Sequence, residues 1–357
     1  DYSIDNKWFL TNKVKYDTFK INKCIESKIE NWELENIYKA IRENFINAVN
    51  KRVDNTERPI ACLLSGGLDS SIVASLVSRF YNKKLETYSI GLEGGEDLKY
   101  AKIVSEHIGS NHTEIIVTEE DFFNQIPNVI EKIESYDTTT VRASVGNYLI
   151  AKYISENSKA KVIFNGDGSD ELMGGYLYMK ACPDHLEFDK ETKNLLKNIH
   201  YFDVLRSDRC ISTNGLEPRT PFLDRTFVDS YLSIPSQIRF EMNKKQEKYL
   251  FRKAFDTGDN FLPAEILWRR KEAFSDGVSK KERSWFEIIK EKVETQDNIK
   301  YNLDEEYIFN KPETVEQLYY RTIFELFYPG LDYLIPYFWM PKYIEANDAS
   351  ARSLNIY

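Results

Sequence analysis

Cysteine and histidine are scarce in this chain of 357 residues, with four of each. Cys24, Cys62, Cys182 and Cys210 lie far apart and form no CxxC pair, so neither a disulfide framework nor a zinc site is indicated. No two histidines stand four residues apart. No apolar run approaches the ~20 residues that span a bilayer. The opening residues, Asp1 to Leu10, lack the cationic, apolar and small-residue order of a signal peptide. A reducing compartment, the cytoplasm, is therefore the expected location, with no membrane partner. Basic residues are also in deficit, 48 Lys and Arg against 57 Asp and Glu, a net charge of −9. That balance argues against nucleic acid as the main partner, and a polyanionic substrate would need a local cationic answer. Internal repeats and low-complexity tracts are absent.

Hydrophobic residues make up 42% of the chain and aromatics 14%, including 23 Tyr, so a sizeable core can be buried. At about 150 residues per domain, the length predicts two domains or one large domain with an extension. Position 1 is Asp rather than Met, and the chain is expected to be a piece of a longer protein. Residues 1–31 are polar and weakly patterned, and read as short strands or a linker. From Trp32, apolar residues recur at i, i+3, i+4 and predict an amphipathic helix to about Arg52. Ile60–Leu64 is a continuous apolar run of the kind found in buried parallel strands. Further strands are predicted at Thr87–Ile90, Glu114–Val117 and Lys161–Phe164, alternating with helices at 72–77, 98–107, 122–134 and 143–155. The fold class is therefore α/β, a parallel sheet with helices on both faces, where ligands bind beyond the carboxyl ends of the strands. After residue 185 strand signals fade; helices are predicted at 186–207, 244–256, 283–295 and 313–327. The tail from about Lys342 is polar, unpatterned and expected to be mobile.

Five segments carry chemistry. The first, Ser65-Gly66-Gly67-Leu68-Asp69-Ser70-Ser71, joins a buried strand to a helix. Its glycines let backbone approach an anion, and the helix start offers unpaired N–H groups. It is not a Walker A loop, since no Gly-Lys-Ser/Thr follows. A carboxylate beside phosphates requires a cation between them, so Asp69 in an anion site implies Mg²⁺; the plainer alternative is that Asp69 or Ser70 caps the helix. The second segment, Asn165-Gly166-Asp167-Gly168-Ser169-Asp170-Glu171, crowds acids at a strand end, a costly arrangement unless a cation or cationic substrate group relieves it. The third, Tyr136 to Ser144, offers the Thr138–Thr140 hydroxyls and an Arg142 fork suited to a carboxylate, although Thr140 as a helix cap and Arg142 as a surface pair serve equally well. The fourth, Leu216 to Asp224, holds Arg219 and Asp224, which are equally readable as a structural ion pair. The fifth, Arg269-Arg270-Lys271-Glu272-Ala273-Phe274-Ser275-Asp276-Gly277, is either a cationic cluster in an acidic chain or a solvated helix end.

The Ser65–Ser71 loop resembles the pyrophosphate loop of the N-type ATP pyrophosphatases, of adenine nucleotide alpha hydrolase-like fold. All five segments in this order, with Gly174-Gly175-Tyr176-Leu177-Tyr178, resemble the synthetase domain of the glutamine-hydrolysing asparagine synthetases over roughly residues 32–340. The resemblance implies a ligase that converts aspartate to asparagine through β-aspartyl-AMP, releasing AMP and pyrophosphate. It implies that residues 65–71 hold the pyrophosphate portion of ATP, with Leu64, Ile90, Asn165 and Gly166 around the nucleotide. Asp69 and Asp170 would ligate Mg²⁺, and Thr139, Thr140 and Arg142 would lie in the aspartate and AMP pocket. Lys271, with Asp224 near it, would stabilise the adenylation transition state, and Asp167 would orient the substrate ammonium or take a proton from ammonia. Residues 1–31 would be the remnant of an N-terminal glutaminase domain and linker, 32–341 the ATP pyrophosphatase domain, and 342–357 a polar tail. The partners implied are aspartate, ATP and ammonia, free or derived from glutamine, with room for a homodimer.

Two departures from the family pattern stand out. Asn165 and Asp167 replace the usual Ser and Glu, and Asp167 has a reach shorter by one methylene. No N-terminal cysteine nucleophile of a glutaminase is present. Two other readings remain: a β-lactam synthetase-like adenylating enzyme, and a nucleotide-binding homologue impaired in catalysis at Asp167.

Overall fold

The computed structural model describes Asn12 and residues 33–271, 278–279, 283–295, 307–346 and 348–349. The predicted N-terminal remnant, apart from Asn12, and Glu272–Gly277 of the fifth segment lie outside the described residues, as do residues 350–357 of the tail.

Five parallel strands form the sheet: β1 (Ile60–Leu63), β2 (Glu86–Leu92), β3 (Asn111–Val117), β4 (Val162–Phe164) and β5 (Glu217–Arg219), in the order β3-β2-β1-β4-β5. Cys62 lies opposite Thr87 on one side and Phe164 on the other, so β1 is central. Side chains alternate across a strand, and both faces here are apolar. Ile60, Cys62, Val162 and Phe164 enter one core with the helices Leu34–Asp54 and Leu68–Phe80. Ala61 and Ile163 enter a second core with Ile126–Ile133 and Thr138–Asn157. Burial on both sides explains why β1 reads as a continuous apolar run. This is the α/β arrangement that the alternating pattern predicts.

The chain leaves β1 outward to β2 and β3, then returns to place β4 on β1's other side. The order therefore reverses between β1 and β4, and their carboxyl ends open a crevice at that switch point. The loops leaving these two strands are the first two chemical segments of the sequence.

The structure corrects several predicted boundaries. β5 was not predicted, because Pro218 breaks the strand signal; as an edge strand β5 tolerates a residue without an N–H. The predicted 244–256 helix is two helices, Ser236–Lys245 and Tyr249–Phe255, interrupted at Gln246–Lys248. The 186–207 helix likewise divides into His185–Asn198 and Asp203–Ser212. The predicted 143–155 helix begins earlier, at Thr138, and absorbs the third segment's threonines. In the expected mobile tail, Lys342 pairs with Glu191 and Asp348 with Arg142, both at 2.8 Å.

Phe45, fully buried on the first helix, joins the two halves. Its ring meets those of Phe222, Phe227 and Phe251 at centroid distances of 4.3, 5.0 and 5.1 Å. Phe251 belongs to the helix that starts beside Lys248, so this cluster helps fix the floor of the crevice. Phe45→Ala is expected to cost about 3–5 kcal/mol of folding stability, as deletion of a large core ring does. Urea unfolding checks it; a loss below about 1 kcal/mol would place the junction elsewhere.

Candidate active site

The first loop is shaped by close backbone approach. Gly66 has φ +72°, and a Cβ there would stand 2.4 Å from the Ala101 nitrogen, so both conformation and space call for glycine. Ser65 and Ser70 hydroxyls meet at 3.0 Å, and Ser70 Oγ accepts the Ser65 amide at 3.1 Å, which closes the turn internally. The helix Leu68–Phe80 starts at Gly67 with no side-chain cap, so neither Asp69 nor Ser70 is its N-cap. Its first-turn N–H groups form a seat for an anion. The second loop presses against the first: a Cβ on Gly166 would lie 2.8 Å from Asp69 Cβ and 2.9 Å from the Ser70 nitrogen.

Across these loops runs a set of charges. Lys248 Nζ lies 2.6 Å from Asp69 Oδ2, 2.6 Å from Asp170 Oδ1 and 2.6 Å from Ser169 Oγ. Lys271 Nζ lies 2.5 Å from Asp170 Oδ2. Burial would push the Asp170 carboxyl up, but the two ammonium groups outweigh it and hold the group well below the ordinary carboxylate range. Lys271 is correspondingly raised: burial opposes its charge, and Asp170 and Asp69 more than restore it. Lys248, only 2% exposed, reaches the acids through space that a side chain on Gly175 would fill; a Cβ there would lie 2.1 Å from Lys248 Cε. Asp69 Oδ1 is buried without a hydrogen-bond partner among the described residues. An acceptor-only oxygen so placed, beside a second carboxylate, suits a hard cation such as Mg²⁺, and the pair fits that role. Among the described residues no group of three or more His, Cys, Asp or Glu could hold a metal alone, so such an ion would share oxygens with a substrate.

A second network lies at the acidic end. Arg206 Nη2 donates to Asp203 at 2.6 Å and to Asp167 at 3.1 Å. The Tyr176 hydroxyl lies 2.5 Å from Glu171 Oε1 and 3.0 Å from Asp203 Oδ2. Burial, and then the charge of Asp203, raise the Glu171 carboxyl well above the ordinary carboxylate range. Two carboxylates, Asp167 and Asp203, share the single guanidinium of Arg206.

Most of the residues singled out in the sequence line one cavity of about 240 Å³. Leu64, Ser65, Gly67, Asp69 and Ser70 come from the first loop, Asn165, Gly166, Asp167 and Asp170 from the second, with Ile90, Thr139, Thr140 and Lys271. Gly66 and Ser71 lie behind the wall, Gly66 against Tyr100 and Ser71 fully buried. The hydroxyls of Thr139 and Thr140 both donate to Asp137 at 2.7 Å, and Asp137, rather than Thr140, caps the helix.

Two expectations are corrected. Asp224 is not beside Lys271. It accepts the Thr226 and Phe227 amides at its own helix start and pairs with Arg52 at 2.7 Å and Lys51 at 2.9 Å. Burial opposes its charge, yet the hydrogen bonds from Arg52 and Lys51 bring it to about 2. Arg219 pairs with Glu217 at 2.7 Å, not with Asp224. Arg142 is the second correction: its guanidinium is buried behind the cavity wall, bidentate to Glu316 at 2.8 and 2.5 Å and to Asp348 at 2.8 Å. Its fork is filled by the protein's own carboxylates.

The comparisons with known proteins bear on this geometry. The asparagine synthase family model matches residues 40–187 and 180–332. The chain belongs to the asparagine synthase family. Asparagine synthetase [glutamine-hydrolyzing] of Gallus gallus is 46% identical over 333 residues, 91% of this chain and 59% of that protein. The Homo sapiens protein of the same name is 45% identical over 340 residues, 93% of this chain and 60% of its own length. The chain thus spans about three fifths of the length of the curated relatives it matches. Among solved structures, NH3-dependent NAD synthetase from Campylobacter jejuni superposes on 38% of this chain and 60% of its own, at 20% identity and a TM-score of 0.28.

Within this asparagine synthase family chain, the sequence left several site residues unmarked. Lys248, Glu247 and Arg252 were hidden inside a supposedly continuous helix. Asp203 and Arg206 carried a local signal, the i, i+3 spacing of acid and base on one helix. Asp137 stood before three threonines, a cap signature. Because Arg142 serves as an anchor, Arg142→Met should cost about 3–5 kcal/mol by leaving Glu316 buried and unpaired. Urea unfolding reads this directly; unchanged stability with weakened substrate binding would return Arg142 to the substrate pocket.

Proposed function

We propose that this chain carries the synthetase reaction of the family: ATP-dependent formation of asparagine from aspartate. The observation that supports it best is the meeting of Lys271, Lys248, Asp69 and Asp170 over an uncapped helix start, in the crevice between the ends of β1 and β4. A nucleotide lying across the ends of β1 and β4 would place its base between Leu64 and Ile90 and its phosphates on residues 65–70.

The aspartate β-carboxylate oxygen attacks the α-phosphorus of ATP, the bond from that phosphorus to the bridging oxygen breaks, and pyrophosphate leaves. Both reactants are anions. Lys271 offers a compact charge to the crowded phosphorus and the departing pyrophosphate, worth most in a site shielded from water. Asp69 and Asp170 would hold Mg²⁺, which supplies charge neutralisation to the phosphate oxygens. The surplus negative charge at Asp167 and Asp203 suits the α-ammonium of an amino acid, and turns its β-carboxylate toward the phosphates. Ammonia nitrogen then attacks the acyl carbon of β-aspartyl-AMP, the acyl carbon–oxygen bond breaks, AMP leaves and a proton is lost from nitrogen. Asp167, inside the cavity, is placed to receive that proton or to steer the ammonium.

The nitrogen comes from free ammonia or from glutamine through a glutaminase domain in the parent protein. A cytoplasmic setting fits the buried free thiols of Cys62, Cys182 and Cys210, and no described helix is long and apolar enough to cross a membrane.

Lys271→Ala should lower aspartate-dependent pyrophosphate release by about 100-fold or more, the scale of losing one oriented electrostatic group. Unchanged turnover would remove Lys271 from the transition state, and no release by the parent chain would favour the impaired homologue. Asp69→Asn should raise the Mg²⁺ concentration for half-maximal ATP binding by about tenfold. Calorimetric titration of ATP at graded Mg²⁺ measures it, and an unaltered curve would count against a metal ligand at Asp69.

A further inference from the structure

The chain leading to Lys271 is tied down by the break between two helices. Arg252 Nη1 donates to the Leu267 carbonyl at 2.6 Å, and Gln246 Nε2 to the Trp268 carbonyl at 3.2 Å. The Lys271 amide donates to Glu247 Oε1 at 3.0 Å. That same oxygen accepts from Arg252 Nη2 at 2.7 Å, while Arg252 Nε bonds the Glu247 carbonyl at 2.9 Å. Glu247 is 1% exposed and Arg252 equally buried. On the other side, Arg269 pairs with Asp97 at 2.9 Å and its guanidinium lies 3.9 Å from the centre of the Tyr100 ring. The segment is therefore clasped from both flanks, one residue at a time.

Glu247 stands immediately before Lys248, whose backbone takes the left-handed conformation at φ 58°. A non-glycine residue so held carries strain that its surroundings must outweigh. Here the Lys248 amide donates to Asn243 Oδ1 at 2.8 Å, and Asn243 Nδ2 to the Gly174 carbonyl at 2.9 Å. The turn lets two neighbours serve one centre from different directions. Lys248 sends its ammonium to Asp170, and Glu247 sends its carboxylate to the backbone of Lys271, whose own ammonium meets the same Asp170.

We infer that Glu247 is a positioning residue: its buried carboxylate, oriented by Arg252, holds the Lys271 amide so that the Lys271 ammonium stands at the anion site opposite Lys248. The inference rests on the role proposed above for Lys271, and its test separates the two. A carboxylate neutralised by Arg252 adds little net charge to the cavity, so its contribution is geometric. A misplacement of Lys271 by about 1 Å is enough to cost about 100-fold in rate.

The experiment uses the full chain and three variants, Glu247→Leu, Glu247→Gln and Lys271→Ala. Amide hydrogen exchange at Lys271 should quicken at least about tenfold in Glu247→Leu and stay near the parent rate in Glu247→Gln, which keeps an oxygen for the amide; the helix Leu68–Phe80 should remain protected in both. Pyrophosphate release in Glu247→Leu should fall about 10- to 100-fold in kcat, with the KM for ATP within about threefold, and Glu247→Gln should recover most of it. In a Lys271→Ala background, Glu247→Leu should add less than about a twofold effect, since both act through one ammonium. Should Glu247→Leu fail to fold, the pair Glu247→Leu with Arg252→Met removes the same tether without a stranded charge, and the same exchange result is expected. Unaltered exchange at Lys271, a Gln variant as impaired as Leu, or multiplying effects in the double variant would each overturn the inference. Failure of the parent chain to release pyrophosphate would overturn the proposed reaction alone, because amide exchange still reports on the tether.

Discussion

The bridge of ammonium groups over Asp69 and Asp170 is the constraint around which the crevice is built. These acids lie on loops leaving adjacent parallel strands, and the second loop needs glycine at position 166 where the first approaches. Two carboxylates this close repel each other. Lys248 bridges both, and reaching them requires a glycine at position 175, a left-handed turn at residue 248 and a helix broken at Gln246. Features that look unrelated along the chain therefore answer one electrostatic demand.

Much of this architecture was legible before any coordinates. The apolar run at Ile60–Leu64 announced a strand buried on both faces, and the glycines after it announced a turn against an anion. Both signals are local, so reading them required no knowledge of partners. Position 248 was illegible for the opposite reason. A lysine among aromatic and aliphatic residues scans as the polar side of a helix, and only the packing of residues 174–175 against 243–248 turns it inward. Pro218 hid β5 in a similar way, since strand propensity says nothing about which strand ends at an edge. The 186–207 and 244–256 helices were overextended because apolar periodicity survives a short break in the backbone.

Arg142 and Asp224 show how residue type can mislead when position is unknown. A guanidinium following threonines is chemically suited to a substrate carboxylate, and equally suited to Glu316 and Asp348, which occupy it. Asp224 begins a helix and meets Arg52 across the interface, so its charge is spent on joining elements. In both cases the sequence specified the kind of interaction correctly, and the fold supplied a different partner. The threonines follow the same rule: their hydroxyls serve Asp137, whose other oxygen accepts the Trp339 amide at 2.6 Å and fastens the C-terminal segment to the cavity rim.

Asp167 carries the argument furthest. Its short side chain lines the cavity, with its carboxylate held by Arg206 at 3.1 Å. Arg206 binds Asp167 and Asp203 together, and the Tyr176 hydroxyl ties Asp203 to Glu171. Because Arg206 is shared, acids are in surplus at this end, whereas Lys248 and Lys271 balance Asp69 and Asp170 at the other. The cavity is thus electrically polarised along its length. On the proposed reaction, an amino acid entering by its ammonium at the acidic end would present its side-chain carboxylate to the neutralised end. The orientation would then follow from charge placement.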